Sequence, residues 1–216
     1  MTHILVMGGS RGIGLAVCRL ALSKGHRVRA MSRKGQLPAD IASACEAFIG
    51  DARNSEDVAR ALAGIDVVVQ ALGVPPSLDF ILKPVTLFSE TTRVLLPAMK
   101  QAGVDKLVAV TGFGAGDSHD AINIMQRLPF RLIFKNAYDD KSIQEELIAA
   151  SELEWLIVRP GVLMNCSSSG NYKVLTRSSE WRNGIVGRAD VADFIVKRIE
   201  TNALNREKPV IIRYPL

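Results

Sequence analysis

The residues whose types and spacing point most directly to chemistry stand close together near the amino terminus: Met7-Gly8-Gly9-Ser10-Arg11-Gly12-Ile13-Gly14. They follow a short apolar run, Ile4–Met7, and open a stretch of helical period. In a strand–turn–helix unit of this kind, Gly8 or Gly9 permits the tight turn, Gly12 lets the backbone approach a pyrophosphate, and Gly14 lets the helix pack close to the sheet. Free amides at the helix start, and the helix dipole, favour an anion there. The Gly-x-x-x-Gly-x-Gly spacing makes a dinucleotide site the expectation, against a glycine-rich turn without a ligand. A basic cluster follows. NAD sites usually place a carboxylate about 20 residues beyond the glycines, where it meets the ribose 2′-hydroxyl. No carboxylate occurs between Arg27 and Pro38. A 2′-phosphate would instead meet Ser32, Arg33 and Lys34, with Arg11 alongside, and the guanidinium fork suits phosphate well. The expected cofactor is therefore NADP(H) rather than NAD(H); the plain alternative is a solvated basic turn. Gly8-Gly9-Ser10-Arg11-Gly12 also fits the Gly-x-Ser-x-Gly elbow of serine hydrolases. Of the histidines His3, His26 and His119, only His119 lies late enough in the chain to serve such a triad, so this reading is set aside.

The elements that must position these residues alternate. Strand-length apolar runs are expected at Ile4–Met7, Arg27–Met31, Ala47–Ile49, Asp66–Gln70, Lys106–Thr111, Trp155–Val158 and Val210–Ile212. Helical periods fill Gly12–Lys24, closed by Gly25, then Ser55–Leu62 with Ser55 as N-cap, Pro84–Ala102 closed by Gly103, Asp139–Ser151 and Asp190–Glu200. A short helix is expected near Ile122–Arg127, and a long loop over residues 161–187. Continuous apolar strands between helices imply a parallel sheet covered on both faces. The fold class read from this is α/β: a Rossmann-like, doubly wound, mostly parallel sheet of seven or eight strands in one domain. Residues 161–216 are expected to contribute to the substrate cleft.

Composition narrows the classes. The chain has 216 residues, 48% hydrophobic and 23% charged, which suits a globular domain with a sizeable core. No apolar run approaches the roughly 18–20 residues of a membrane span. The net charge is +5, but the cations are dispersed and aromatics make up only 6%, so no nucleic-acid face is expected. Cys18, Cys45 and Cys166 have neither Cys-x-x-Cys nor zinc spacing, so no metal is expected, and Cys18 reads as core. The amino terminus does not read as a signal peptide, and the expected compartment is cytoplasmic.

The glycine motif and several later segments together resemble the short-chain dehydrogenase/reductase superfamily. The later chain resembles its atypical branch of NAD(P)H-binding, NmrA-like proteins and reductases of the biliverdin reductase B type. Gly50-Asp51 follows the third strand, Ala71-Leu72-Gly73 the fourth. Ser151-x-Leu153-x-Trp155-x-Ile157-Val158-Arg159-Pro160-Gly161 resembles the sixth-strand signature, and Arg188-Ala189-Asp190-Val191-Ala192 the start of the last helix. The resemblance implies that Asp51 and Ala52 lie by the adenine and Ala71, Leu72 and Gly73 by the adenine ribose. It also implies that Pro160, Gly161, Val162 and Leu163 pass beside the nicotinamide. The main branch uses Tyr-x-x-x-Lys, whereas this chain has Tyr138-Asp139-Asp140-Lys141, one residue short. By resemblance Lys141 is a ribose ligand, or else a surface lysine paired with Glu145. Tyr138 is a general acid or a pocket-lining residue that stands just before the helix. Thr111 orients a substrate carbonyl or caps its strand. Ser118 and His119 lie in the loop beyond.

The implied function is an NADPH-dependent oxidoreductase passing hydride to a small organic acceptor: a flavin, quinone, tetrapyrrole or carbonyl. The incomplete Tyr–Lys motif tilts this towards acceptors that take their proton from solvent. The alternative is a non-catalytic NADP(H)-binding redox sensor. A sugar epimerase is disfavoured, on the ground that such relatives add a substrate domain too large for this chain. The expected partner is the small-molecule acceptor, with no nucleic acid and no membrane, in a monomer or homodimer.

Overall fold

The computed structural model describes residues 1–74, 83–121 and 124–215. The strands are β1 (His3–Met7), β2 (Arg27–Ser32), β3 (Glu46–Ile49), β4 (Val67–Gln70), β5 (Lys106–Val110), β6 (Glu154–Pro160), β7 (Val162–Met164), β8 (Lys173–Leu175), β9 (Gly184–Gly187), β10 (Val210–Ile212) and β11 (Tyr214–Pro215). The helices are α1 (Gly12–Ser23), α2 (Ser55–Ala61), α3 (Leu87–Ala102), α4 (Ile124–Ala149) and α5 (Arg188–Glu200). Eight strands form the main sheet in the order β3-β2-β1-β4-β5-β6-β10-β8, parallel except for β8. This is the expected Rossmann-like α/β architecture. The strand order reverses between β1 and β4, which places the topological switch point beside the glycine motif.

Continuous apolar strands follow from burial on both faces. In β1, Ile4 and Val6 enter the core beneath α1 and α5, while Leu5 and Met7 enter the core beneath α2, α3 and α4. The same alternation runs through β5 and β6, so that Trp155 and Ile157 face the α3–α4 side. Arg159, two residues on, points the same way.

Several boundaries differ from expectation, each for a physical reason. Asn54, not Ser55, caps α2: its Oδ1 accepts from the amides of Glu56 at 2.9 Å and Asp57 at 3.0 Å. Helix α3 starts at Leu87 rather than Pro84. Its N-cap Thr86 offers no side-chain bond. The cap comes instead from Asp140 on α4, whose Oδ2 accepts the Phe88 amide at 2.7 Å and whose Oδ1 accepts the Ser89 amide at 3.3 Å. The two helices expected on either side of residues 128–138 are one, α4, 26 residues long and continuous through Pro129. Proline normally ends a helix, and this obscured the continuity. Tyr138 therefore lies within the helix, not before it. Strand β6 runs past Val158 and ends at Pro160, in register with Ile211. Residues 161–187 hold three short strands, of which β7 and β9 join β11 in a small second sheet. A pocket-lining loop is also expected from the sequence at residues 74–82, of which 75–82 lie outside the described residues. No helix among the described residues is long and apolar enough to cross a membrane.

A buried carboxylate capping a neighbouring helix should matter to stability. Asp140→Ala is expected to lower the free energy of unfolding by about 1–2 kcal/mol. Asp140→Asn, which keeps an acceptor, should cost less; urea denaturation of both variants checks this.

Candidate active site

Parallel register brings the carboxyl ends of six strands to one edge. Met7 pairs with Met31 and Gln70, Ser32 with Ile49, Gln70 with Ala109, and Val110 with Val158. The glycine loop, Arg33-Lys34, Gly50–Ala52, Ala71–Gly73, Thr111 and Gly161 follow these strand ends.

The glycine loop is tightly constrained. Gly8 takes a left-handed φ of +89°. A Cβ on Gly14 would stand 2.3 Å from the Gly8 carbonyl oxygen, so only glycine lets α1 begin directly over the end of β1. Gly12 is different: its φ is +62° and nothing lies within 4 Å of where its Cβ would be. The start of α1 is also left open electrically. Its N-cap Arg11 makes no side-chain cap bond, and the first turn contains no acidic residue. Arg11 is exposed and reaches from the loop towards the carbonyl of Gly73, at 3.4 Å. An open Gly12 and an uncapped twelve-residue helix suit a bound anion such as a diphosphate.

The cationic turn lies next to it. Ser32 Oγ accepts from the Gly35 amide at 3.1 Å, shaping the turn that presents Arg33 and Lys34. Both are exposed, and neither has an ion-pair partner among the described residues. By contrast, nearby Arg19 is paired with Asp40 and Arg29 with Glu46. At the end of β3, Asp51 is exposed, with Oδ1 accepting from the Arg53 amide at 3.0 Å, and Ala52 is buried. Ala71 continues the sheet by donating its amide to Met7 at 2.9 Å; Leu72 is half-buried and Gly73 exposed.

Tyr138, Lys141 and Thr111 are brought together where β5 meets α4. Spacing of three residues puts Tyr138 and Lys141 on one helical face. The Lys141 ammonium donates to the Thr111 carbonyl and lies 5.0 Å from the Phe88 ring and 5.3 Å from the Tyr138 ring. Burial pulls its pKa down to about 8, an effect that the negative charge of Glu145 partly offsets. The Tyr138 hydroxyl lies against Gly112, where a Cβ would come within 2.6 Å of it. Burial pushes the phenol up to about 12. The Thr111 hydroxyl neither caps its strand nor stands free; it donates to Glu145 Oε1 at 2.7 Å. Lys141 is not a surface lysine paired with Glu145, because that carboxylate turns inward to Thr111 and Arg159. Ser118 serves its own loop, accepting from the Gly114 amide and donating to the Ala115 carbonyl. His119 is partly exposed beside Asp120.

Beyond the β6 end, the Gly161 amide donates to Ile211 at 3.1 Å. Val162 is 50% exposed, and Leu163 is partly buried against the α1–α5 core. Sequence reasoning missed the charges behind this edge. Arg159 is fully buried, bonded to Glu145 and Asp117, with its guanidinium 4.9 Å from the Trp181 ring. Asp190 is also fully buried and gathers Ser168, Ser169 and Gly170 onto α5. The signal for Arg159 was present, a cation directly following the apolar run Trp155–Val158. No group of metal-binding residues occurs among the described residues.

An open helix start and a polar cluster on one edge of a doubly wound sheet define an NAD(P)-binding Rossmann protein. Residues 8–202 match the NAD(P)H-binding family model, and the chain belongs to that family. It is 29% identical to a 3-beta-hydroxysteroid dehydrogenase of Mycolicibacterium neoaurum, over 67% of this chain but only 41% of that protein. It is 27% identical to a Bacillus subtilis protein named as the uncharacterized sugar epimerase YhfK, over 84% of this chain and 80% of that one. A relative bearing an epimerase name is thus of similar size, and chain length does not exclude that class. Among solved structures, Escherichia coli ChuY, described as an anaerobilin reductase, superposes with a TM-score of 0.80 at 25% identity, over 98% and 97% of the two chains. A Veillonella parvula short-chain dehydrogenase/reductase in complex with NADP shares the fold, with a TM-score of 0.80 at 14% identity over 98% and 94%.

The two glycine environments lead to different outcomes on substitution. Gly14→Ala forces backbone apart and should cost about 2 kcal/mol or more of stability. Gly12→Ala meets no atoms and should cost only the left-handed strain, about 1–2 kcal/mol. Chemical denaturation of the two variants tests the order.

Proposed function

We propose that this protein is an NADPH-dependent reductase of a small organic acceptor. One observation carries the reading: a single sheet edge holds both an uncapped helix start, beside cations without an ion-pair partner among the described residues, and the Tyr138–Lys141–Thr111 group. In this reading Gly8, Gly9, Ser10, Arg11, Gly12, Ile13 and Gly14 hold the diphosphate. Ser32, Arg33 and Lys34, with Arg11, hold the 2′-phosphate. Asp51 and Ala52 border the adenine, and Ala71, Leu72 and Gly73 its ribose. Lys141 binds the nicotinamide ribose as an ammonium donor, and the backbone of Pro160, Gly161, Val162 and Leu163 meets the carboxamide. Residues 161–216 help to form the acceptor cleft.

The reduced nicotinamide, when bound, supplies the hydride. The side chains around it favour one class of acceptor. Tyr138 keeps its proton up to about pH 12, which makes it a weak acid at neutral pH. The Thr111 hydroxyl already donates to Glu145. With both usual donors disfavoured, flavins, quinones and tetrapyrroles, which take a proton from solvent, fit better than carbonyls. The same engagement of Thr111 favours a second reading, an NADP(H)-binding regulator without turnover. Steady-state oxidation of NADPH with a panel of flavins, quinones and aldehydes separates the two: tight NADPH binding without acceptor-dependent oxidation identifies the regulator.

Cofactor preference has its own test. Arg33→Asp is expected to weaken NADPH about tenfold or more, equivalent to ~1.4 kcal/mol, and to leave NADH unchanged. Calorimetry with both nucleotides measures this. Equal losses would remove the preference, and absence of heat with either nucleotide on the unsubstituted protein would remove the function.

A further inference from the structure

Glu145 and Arg159 form a charge pair that no expected role explains. Arg159 is 0% exposed and Glu145 1%. Glu145 Oε1 accepts from Arg159 Nε at 3.0 Å and from the Thr111 hydroxyl at 2.7 Å, while Oε2 meets Arg159 Nη2. Nη2 also contacts Asp117, Trp181 covers the guanidinium face, and Nη1 has no partner among the described residues. Gly116 closes over the pair, since a Cβ there would lie 2.5 Å from Glu145 Oε2. Burying such a pair gains little stability over apolar residues of the same volume, because desolvation offsets the attraction. The site it adjoins suggests another purpose. Lys141 precedes Glu145 by one helical turn, and the two grip the same residue: Glu145 takes the Thr111 hydroxyl and Lys141 the Thr111 carbonyl.

We infer that Glu145 is a positioning residue of this site: clamped by Arg159, it fixes Thr111 and keeps a negative charge beneath the Lys141 ammonium, so that the lysine meets the nicotinamide ribose as a cation. This rests on the reading of Lys141 as a ribose ligand. The groups facing that ammonium support the assignment. Phe88 from α3 and Tyr138 from α4 present rings, and β5 presents the Thr111 carbonyl. Asp140, on the same helix, is occupied by the α3 amides. Arg159 is bonded to Glu145, and Asp117 to Arg159. Glu145 is thus the group that offsets burial, which alone pulls the lysine towards its neutral form.

Competitive acetylation of the apo protein from neutral to alkaline pH, with the Lys141 peptide read against exposed Lys34 by mass spectrometry, follows the amine directly. The unsubstituted protein should show a midpoint near pH 8. Glu145→Gln should lower it by about one pH unit. That variant leaves Arg159 unpaired, so the double variant Glu145→Gln/Arg159→Gln, a neutral pair of similar shape, is measured beside it, with folding checked by circular dichroism. A positioning role predicts a lowered midpoint in the folded double variant and NADPH binding weakened about tenfold at mildly alkaline pH. A midpoint still near pH 8 in the double variant would show that Glu145 only neutralises Arg159, and would overturn the inference. If the unsubstituted protein binds no NADPH, the proposed function fails, while the acetylation midpoints still decide the role of Glu145.

Discussion

The molecule depends first on a contact between two stretches of backbone: the start of α1 lies directly against the turn leaving β1, with Gly14 over the carbonyl of Gly8. A side chain at Gly14 would push the helix off the sheet. Because the helix sits so low, its first amides open at the same edge where the parallel strands end. No carboxylate of its own neutralises that end. The anion-binding character of the region is thus a product of packing before it is a product of any side chain.

The second half of the site is built on α4. One helix supplies Tyr138 and Lys141 to the end of β5, Asp140 to the start of α3, and Glu145 to the buried charge cluster. These residues occupy little more than two turns, and they reach a strand end, a helix start and a buried charge cluster. Helical geometry accounts for this: Asp140 lies about 100° from Lys141 around the axis, while Glu145 lies nearly beneath it.

The fold was largely legible because strands buried on both faces write themselves as unbroken apolar runs, as in Ile4–Met7 and Val67–Val69, and because Gly25 and Gly103 mark helix ends. What escaped was structure whose cause lies elsewhere in the chain. Nothing near Leu87 announces the start of α3, since its cap is contributed by Asp140 from a distant helix. Pro129 disguised a continuous helix as two. The short strands β7, β8 and β9 exist through pairing with β9, β10, β11 and one another, and carry no pattern of their own. In the site, Tyr138, Lys141 and Thr111 were found by resemblance and do converge. Glu145 and Arg159 were missed because a charged residue in sequence reads as solvated, and only the three-dimensional arrangement shows which cation and which carboxylate have been enclosed together.

The cap that Asp140 places on α3 has a mechanical side. Parting α3 from α4 would strip two helix-start amides of their acceptor before the Lys141 side chain had moved, so that seam is a costly place to open. One carboxylate thereby ties the position of the lysine's own helix to the start of its neighbour, and the two helices hold the strand end between them as a unit.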